Sequence, residues 1–426
     1  MYSEIEEDRR QYNTGCMTTE RTMTNEDYIL KNREKDVRSL ALGRMPEGVD
    51  LSWCLRQIEG WQLARKKLPR WAETEGLWYP PRLSMEQCSS EATAEYKRLS
   101  PAPTQDEGVL IDLTGGFGVD FSYMARRFGK AIYVEQQKVL CDAARHNFPL
   151  LGLDNAEVIE GTAEELLTNA DSLFFSNHYS LIYLDPARRD DAGRKVFAIE
   201  DCTPDLTQIQ DTLLEHADCV MVKLSPMLDI TQALRSLHCV TDVHVVSVRG
   251  ECKELLFIMR KESNAAGITY HCVNLETNDE PFVWMKDEGM KDEGLLHLAS
   301  TEDIREGTLL LEPNASILKA GMQDAYAMKN GMKKLHPQSN LFISNGDVAA
   351  EVPARTFRIV AMHDFSKQSL KSLQRNVSQA NLTIRNFPST VADLRKRLKI
   401  KEGGNVYLFA TTLADGSHAL LQCEKK

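Results

Sequence analysis

Two carboxylates and a glycine turn are the residues of this chain best suited to chemistry. Asp112 ends an apolar run, Gly116 and Gly118 follow it, and Glu135 ends the next apolar run. Glycine lets the backbone approach a ligand where a Cβ would collide, and a helix that begins after the turn offers free N–H groups. A carboxylate at the end of the second strand can accept hydrogen bonds from both hydroxyls of a ribose. The spacing predicts a site for an adenosine-containing ligand, although Gly-x-Gly also occurs in ordinary tight turns.

The elements around this turn predict an α/β fold built on a mainly parallel sheet. Short apolar runs bounded by turn residues are typical of strands that are buried on both faces. The predicted elements are strands over 109–112, 131–135, 156–160, 181–184 and 219–224, a helix over 138–150, and a closing hairpin over 244–249 and 255–259. Phe121 stands where a nicotinamide-binding turn has its third glycine, so the pattern argues against NAD.

This order of elements resembles that of class I S-adenosylmethionine-dependent methyltransferases over residues 105–260, including the final antiparallel strand. More narrowly, the whole chain resembles a bacterial family with a helical amino-terminal segment, a methyltransferase domain, a ferredoxin-like insert and a carboxy-terminal THUMP-like domain. The segments that carry this resemblance are Leu-Thr-Gly-Gly-Phe-Gly-Val-Asp-Phe (113–121), Asp-Pro-Ala-Arg-Arg (185–189), Glu-Cys-Lys-Glu-Leu (251–255) and Ile-Arg-Asn-Phe-Pro (384–388). It implies a Rossmann-like seven-stranded sheet, S-adenosyl-L-methionine as cofactor, and methyl transfer to RNA.

The resemblance also implies a set of cofactor-binding residues, which share the loops at the carboxyl ends of the first three strands. They are Asp112, Thr114, Gly116, Gly118, Asp120, Glu135, Thr162 and Ala163. Thr162 has an alternative role as a helix cap, since Glu165 three residues later completes a capping box. Asp120 has one as well, because a carboxylate in the first turn of a helix complements the helix dipole.

The loop after the fourth strand carries the predicted catalytic residues Asp185, Pro186 and Arg188. In methyltransferases that act on exocyclic amines, this loop reads Asn or Asp, Pro, Pro, aromatic, and its oxygens align the amine with the methyl group. Here Ala187 and Arg188 replace the second proline and the aromatic residue, which weakens the amine interpretation. Arg188 or Arg189 could hold a phosphate or stack on a base, or could instead form ion pairs with nearby acids.

The composition is that of an ordinary globular protein. The chain has 426 residues, of which 42% are hydrophobic and 27% charged. No stretch approaches the ~20 apolar residues of a membrane-spanning helix, and the first ten residues are acidic and polar, so we expect a cytoplasmic protein without membrane association. Ten cysteines without a Cys-x-x-Cys pair predict reduced thiols and no metal site. The pattern does not indicate an oligomeric state.

Changes in composition predict five segments. They are a loose tail (1–24), a helical domain (25–104), the methyltransferase domain (105–262), a small acidic ferredoxin-like domain (263–312) and a basic THUMP-like α+β domain (313–426). Tryptophans of the helical domain alternate with basic residues, a pattern that can stack on bases but is more often the core of a small bundle.

The carboxy-terminal segment carries the positive charge of the chain. Residues 355–426 hold 13 Lys and Arg against 5 Asp and Glu, whereas the whole chain has a net charge of −11. Arg395, Lys396 and Arg397 crowd one predicted helix and, with Arg189, are the predicted nucleic-acid contacts, although a charge run is often only a solvated face.

These patterns together predict a methyltransferase that modifies a base in structured RNA such as rRNA or tRNA, with an exocyclic amine as one candidate acceptor. The first loop, from Asp112 to Asp120, also resembles that of a bacterial small-subunit rRNA guanine-N2 methyltransferase. The alternative is a non-catalytic RNA-binding or assembly protein with a degenerate methyltransferase domain, because the loop after Asp185 departs from the amine pattern.

Overall fold

The computed structural model describes residues 23–43, 46–100, 108–188, 199–261, 267–286, 297–344, 346 and 352–426. Arg189 and nearly all of the predicted amino-terminal tail lie outside these residues. The chain divides into two compact units, one of residues 1–88 with 142–152 and the other of residues 89–141 with 153–426.

The first unit is helical. Its helices are α1 (Asn25–Asn32), α2 (Val37–Ala41), α3 (Leu51–Lys67), α4 (Pro69–Glu73) and α5 (Arg82–Gln87). Thr24 and Asp27 form a reciprocal capping box that begins α1. Trp71 is buried, and Trp61 lies between the guanidinium groups of Arg33 and Arg65. The tryptophans therefore serve the packing of this unit.

The second unit begins one helix earlier than the sequence predicts. Its first helix, α6 (Glu91–Leu99), falls inside the predicted helical domain of residues 25–104, but the division between the units lies after Cys88. The division between the units therefore differs from the predicted boundary at residue 104, which stays a prediction. The physical reason is that α6 packs on α7 (Val119–Met124), and its buried Lys97 is ion-paired within this unit.

A nine-stranded sheet forms the core of the second unit. Its strands are β1 (Val109–Asp112), β2 (Lys130–Glu135), β3 (Ala156–Glu160), β4 (Leu181–Leu184), β7 (Val220–Leu224), β8 (Val240–Val248), β9 (Glu251–Met259), β10 (Ile268–Leu275) and β11 (Phe282–Lys286), with the short pair β5 (Ala187–Arg188) and β6 (Cys202–Thr203) beside it. The connecting helices are α8 (Lys138–Leu150), α9 (Ala163–Thr168), α10 (Leu206–His216) and α11 (Ile230–Ser236).

The order of strands places a crevice beside β1. The sheet runs β11-β10-β8-β9-β7-β4-β1-β2-β3, and β1 pairs in parallel with both β2 and β4. The chain therefore leaves β1 in one direction for β2 and later returns to its other side at β4. In open α/β sheets, such a switch point opens a crevice at the carboxyl ends of the strands, which is where ligands bind.

The hairpin of β8 and β9 closes the methyltransferase part of the sheet. β9 lies between β7 and β8 and is antiparallel to both, as predicted for the final strand. Seven strands of this sheet confirm the predicted fold class. β10 and β11 then add two strands, since β10 pairs with β8 over seven residues.

A second, seven-stranded sheet follows. Its strands are β12 (Leu309–Pro313), β13 (Lys333–Lys334), β14 (Phe342–Ser344), β15 (Ala354–Asp364), β16 (Asn381–Arg385), β17 (Val406–Thr412) and β18 (His418–Lys425), in the order β13-β14-β12-β15-β18-β17-β16. Its helices are α12 (Ala315–Ala320), α13 (Gln323–Lys329), α14 (Lys367–Asn376) and α15 (Val391–Leu398).

The predicted ferredoxin-like segment, 263–312, is divided between the two sheets. Residues 268–286 extend the first sheet, while β12, at the end of the segment, pairs with β14 and β15 of the second. The division of strands between the two sheets therefore does not follow the predicted boundaries at 262 and 312, which stay predictions. The acidic composition on which they were based marks surface charge and does not report strand pairing.

None of the described helices is both long enough and apolar enough to cross a membrane. The nine cysteines among the described residues are all free thiols.

Candidate active site at the carboxyl edge of the first sheet

Asp112 fixes the start of the glycine turn. Its Oδ1 accepts a hydrogen bond from the backbone N–H of Thr114 at 2.9 Å, and the residue is 1% exposed. Burial raises the pKa of Asp112 well above its usual range, although the Thr114 N–H acts in the opposite direction. This carboxyl group is therefore built into the loop that it orients.

The glycine turn needs glycine for two different reasons. Gly116 and Gly118 have φ values of +58° and +80°, the left-handed region that disfavours other residues. Gly115 lies against the Tyr133 ring, where a Cβ would stand 2.2 Å from a ring carbon. α7 begins directly after Gly118, which has no side chain to cap the first N–H groups of the helix.

Glu135 bridges the turn and the end of β2. Its Oε2 accepts the N–H of Gly116 and its Oε1 the N–H of Gln137, both at 2.8 Å. A carboxylate oxygen can accept two hydrogen bonds, so each oxygen keeps acceptor capacity for a ribose hydroxyl. The predicted ribose contact stays a prediction, and the structure adds a second role in holding the turn that the sequence did not indicate.

Asp120 makes more internal contacts than either sequence interpretation predicted. Ser89 and Tyr183 donate hydroxyl hydrogen bonds to its Oδ2 at 2.7 and 2.8 Å, and Lys97 Nζ lies 3.1 Å from its Oδ1. Burial alone would raise the pKa of Asp120, but Lys97 and Lys223 lower it to about 2. The carboxylate is thus charged and internally paired, and its predicted contact with a cofactor stays a prediction.

Asp185 lies directly after β4 with an ammonium group beside it. Lys223 Nζ donates to Asp185 Oδ2 at 2.5 Å, and the Asp185 N–H donates to Thr114 Oγ1 at 2.6 Å. The side chain of Asp185 is 41% exposed and that of Lys223 only 13%. Burial would lower the pKa of Lys223, but Asp185 and Asp120 raise it, so the amine is charged.

Lys97 and Glu254 form a second ion pair, which is buried. Lys97 Nζ donates to both carboxylate oxygens of Glu254, at 2.6 and 2.8 Å, and the Lys97 side chain is fully buried. Desolvation of both charges makes such a pair costly unless its geometry is good and its hydrogen bonds are satisfied. Asp120 lies between the two lysines and joins the pairs into one network, with Lys223 at 3.8 Å from its Oδ2.

Sequence reasoning missed the basic half of this network. Lys223 interrupts the apolar run Val-Met-Val-Lys-Leu, and a charge in a strand that is buried on both faces needs a partner. That signal was present and could have marked Lys223. Lys97 gave no comparable signal, because a lysine near the end of an amphipathic helix is usually exposed.

Thr162 caps a helix, as one interpretation predicted. Its Oγ1 accepts the Glu165 N–H at 3.1 Å, and Glu165 Oε2 accepts the Thr162 N–H at 2.9 Å. The next residue, Ala163, is 3% exposed, so its methyl group belongs to the core. Both residues follow β3, the neighbour of β2, and the predicted contact of this loop with adenine stays a prediction.

The loop after Asp185 is held by a short ribbon. Pro186 is buried, and Ala187 and Arg188 pair antiparallel with Thr203 and Cys202. This pairing fixes the backbone of Arg188, three residues after Asp185. The side chain of Arg188 and the whole of Arg189 lie outside the described residues.

The predicted RNA contacts of the second sheet lie on α15. Lys396 and Arg397 are exposed, with the Arg397 guanidinium 5.6 Å from the Phe365 ring. Arg395 is half-buried and donates to the carbonyl of Ala380 at 3.4 Å. Two of the three predicted cations are thus presented to solvent.

One group of three potential metal ligands occurs among the described residues, formed by Asp242, His244 and His271. The two imidazole rings are stacked 4.2 Å apart with planes 4° from parallel. The in-plane lone pairs of stacked rings cannot converge on one ion, and Arg260 already pairs with Asp242 at 2.9 Å. This geometry fits an aromatic and ionic packing contact and does not fit a metal centre.

Comparisons with known proteins agree with this fold. A family model described as a THUMP domain-like domain matches residues 354–425, and one described as a ferredoxin-like domain matches residues 310–350. An uncharacterized S-adenosylmethionine-dependent methyltransferase of Mycobacterium tuberculosis is 23% identical over 312 residues, which cover 72% of this chain and 78% of the relative.

A solved structure is similar over nearly the full length. It is that of a Porphyromonas gingivalis W83 protein named as a methyltransferase, with 35% identity, a TM-score of 0.80, and coverage of 94% of this chain and 97% of the other. The predicted enzyme class, cofactor and fold are thereby confirmed. The chain belongs to a family of S-adenosylmethionine-dependent methyltransferases that carry ferredoxin-like and THUMP-like domains.

Proposed function

We propose that this protein transfers a methyl group from S-adenosylmethionine to structured RNA. The observation that carries the proposal is the partly exposed Asp185 carboxylate, held by Lys223 beside the glycine turn at the carboxyl edge of the sheet. In this proposal, the carboxylate orients the methyl acceptor beside the predicted cofactor loop, as a transfer reaction requires.

The residues at this edge fit the cofactor. Glu135 retains acceptor capacity for the ribose hydroxyls, and the left-handed glycines give the backbone room to approach. The full proposed set is Asp112, Thr114, Gly116, Gly118, Asp120, Glu135, Thr162 and Ala163. When bound, the cofactor supplies a methyl group that its sulfonium already activates, so the protein has mainly to align the acceptor and exclude water.

Alignment is the proposed task of the loop that follows β4. The Asp185 carboxylate accepts a hydrogen bond from the acceptor group, and Pro186 and the ribbon of Arg188 restrict the loop. Because the Asp185 N–H donates a hydrogen bond to the Thr114 hydroxyl, the loop after β4 and the predicted cofactor loop are held in a fixed relative position. An alignment contact of this kind lowers the barrier by fixing the reacting atoms in a near-attack geometry.

RNA as substrate is supported by charge and by family. The THUMP-like match, at residues 354–425, covers 12 basic and 5 acidic residues, and THUMP-like domains suggest RNA binding. Lys396 and Arg397 are exposed on α15 and suited to phosphate contacts, with Arg395 and Arg189 as further proposed contacts.

The test measures binding and transfer separately. Calorimetry with S-adenosylmethionine should show binding, and tritium from labelled cofactor should enter total RNA from a strain that lacks the protein. RNA from the parent strain, already methylated at the target, should accept much less label and serves as control. Cofactor binding without transfer to either RNA would contradict the enzymatic proposal and favour a non-catalytic RNA-binding protein.

A further inference from the structure

The charges around Asp185 bear on which atom receives the methyl group. The ammonium of Lys223 lies 2.5 Å from the Asp185 carboxylate and is itself 13% exposed at the side chain. Within the described part of the chain, Lys223 also pairs with Asp120, whose Oδ2 lies 3.8 Å from the nitrogen. An ammonium has three donors, so at least one remains for a group that enters beside Asp185.

An exocyclic amine is poorly matched to this pair. Its N–H groups need acceptors, and its single nitrogen lone pair must attack the methyl group. An ammonium donor beside the reacting atom would compete for that lone pair and offer the N–H groups nothing. The loop points the same way, because Ala187 and Arg188 stand where amine-type loops have a second proline and an aromatic residue.

A hydroxyl group matches the pair at every position. Its proton can be donated to the Asp185 carboxylate, one oxygen lone pair can accept from Lys223, and the other remains to attack. A cation within hydrogen-bond distance also stabilises the negative charge that an oxygen nucleophile develops as it loses its proton. In RNA, the hydroxyl groups along the chain are the ribose 2′-hydroxyls.

We propose that the acceptor is a ribose 2′-hydroxyl of RNA, with Lys223 and Asp185 as the catalytic pair; this rests on the RNA methyltransferase function proposed above. The methyl carbon forms a bond to the 2′-oxygen while its bond to sulfur breaks. The electron pair of the broken bond stays on sulfur, which becomes a neutral thioether. The hydroxyl proton passes to the Asp185 carboxylate, and Lys223 remains an ammonium throughout.

Lys97 and Glu254 act as positioning residues for this pair. Glu254 takes both short hydrogen bonds of Lys97, and Lys97 in turn lies 3.1 Å from Asp120. Asp120 is held further by Ser89 and Tyr183, so it offers Lys223 a fixed counter-charge at 3.8 Å. Burial would lower the pKa of Lys223, but the carboxylates of Asp185 and Asp120 raise it. Lys223 therefore stays protonated at neutral pH.

Alkaline hydrolysis tests the acceptor directly. RNA labelled by the full-length protein and tritiated cofactor is digested with alkali, which cleaves only where a free 2′-hydroxyl can attack the neighbouring phosphate. A 2′-O-methyl group blocks that cleavage, so we expect label in alkali-resistant dinucleotides. Label in mononucleotides would overturn the hydroxyl proposal while leaving RNA methylation intact, and absence of label in RNA would overturn both.

Variants of Lys223 test the mechanism. Lys223→Met should lower kcat at least 100-fold, with the Kd for S-adenosylmethionine within a few-fold, and Lys223→Arg should restore part of kcat. Lys130→Met is the matched control, because Lys130 pairs with Glu157 at 3.0 Å on the surface of the same sheet. Unchanged kcat in Lys223→Met would overturn the assignment. If the Met variant does not fold, a Lys223→Arg enzyme that yields label only in mononucleotides would do so.

Discussion

The two sheets of the second unit use charge in opposite ways. At the carboxyl edge of the first sheet, Lys97 and Glu254 are buried and paired with near-ideal distances. On the second sheet, Lys396 and Arg397 of α15 are exposed. A buried charge acts through a few fixed partners, and its loss is costly, whereas exposed charges act additively and are screened by salt. The first region therefore suits chemistry and the second suits capture of a polyanion.

The largest effect is expected in the first region, when the carboxylate of Asp185 is removed. Asp185→Ala should cut methyl transfer by about two orders of magnitude or more, because the lost contact aligned the acceptor. Binding of S-adenosylmethionine should stay within a few-fold in calorimetry. Full activity would remove Asp185 from the mechanism, and loss of both binding and activity would indicate a structural role.

Removal of a buried cation should cost folding stability. Lys97→Met leaves the Glu254 carboxylate buried without its partner, which typically costs about 3–5 kcal/mol of unfolding free energy. Denaturant titration followed by fluorescence would measure it, with the exposed Lys396→Met as the matched control from the second region. A loss below about 1 kcal/mol, the usual range for exposed pairs, would erase the distinction between the regions.

Glu135→Ala should weaken the cofactor site while the fold survives. The variant removes a charged acceptor whose hydrogen bonds are worth ~1.5–3 kcal/mol each, so the Kd for S-adenosylmethionine should rise at least about tenfold. Glu157→Ala, on the neighbouring strand and half-exposed, is the control for calorimetry. An unchanged Kd in Glu135→Ala would show that its carboxylate serves the turn alone.

The buried groups of the first sheet should also make its stability depend on pH. Burial, with His271 and Arg260 nearby, lowers the pKa of His244 from 6.5 to about 3 against the opposing charge of Asp242, and Tyr96 bonds its Nδ1. The folded protein therefore binds this proton less readily than the unfolded chain. The contribution of the neutral His244 to the free energy of unfolding is fully present above pH 6.5. It falls by about 1 kcal/mol per pH unit as the pH drops towards 3.

His244→Gln removes this titration, so its unfolding free energy should fall less steeply between pH 6.5 and 4 than that of the parent. Equal slopes for the parent and His244→Gln in urea titrations would contradict the burial argument.

The smallest effect is expected on the second sheet. Reversal of Arg395, Lys396 and Arg397 to Glu should weaken RNA binding and flatten the dependence of log affinity on log salt, because each lost phosphate contact removes close to one unit of slope. Cofactor affinity should not change. Filter binding at several salt concentrations would measure it, and identical curves for parent and variant would mean that α15 is only a solvated face.

Local sequence patterns marked the acidic residues at this edge of the first sheet and did not mark the basic ones. Asp112, Gly116, Glu135 and Asp185 could be found because strand ends and glycine turns are local features, encoded within a few residues. Lys97 reaches Glu254 across 157 positions of sequence. A contact of that kind depends on how α6 packs on the sheet, which no local pattern encodes.

The predicted domain boundaries differ from the observed strand pairing for a related reason. Composition located the acidic stretch and the basic end of the chain, but strand pairing decides where a domain ends. β10 looks by sequence like the first strand of a new domain, yet its seven pairs with β8 make it part of the first sheet. Hydrophobic alternation shows that a strand exists and leaves its neighbour undetermined.

The pairing of β12 with β15 has a consequence for how this architecture can be inherited. β12 belongs to the ferredoxin-like match and β15 to the THUMP-like match, and five residue pairs join them within one sheet. A recombination point between residues 350 and 354 would leave each half with an unpaired sheet edge, a template for aggregation. The ferredoxin-like and THUMP-like segments are therefore expected to be inherited together, as one unit that starts near residue 309.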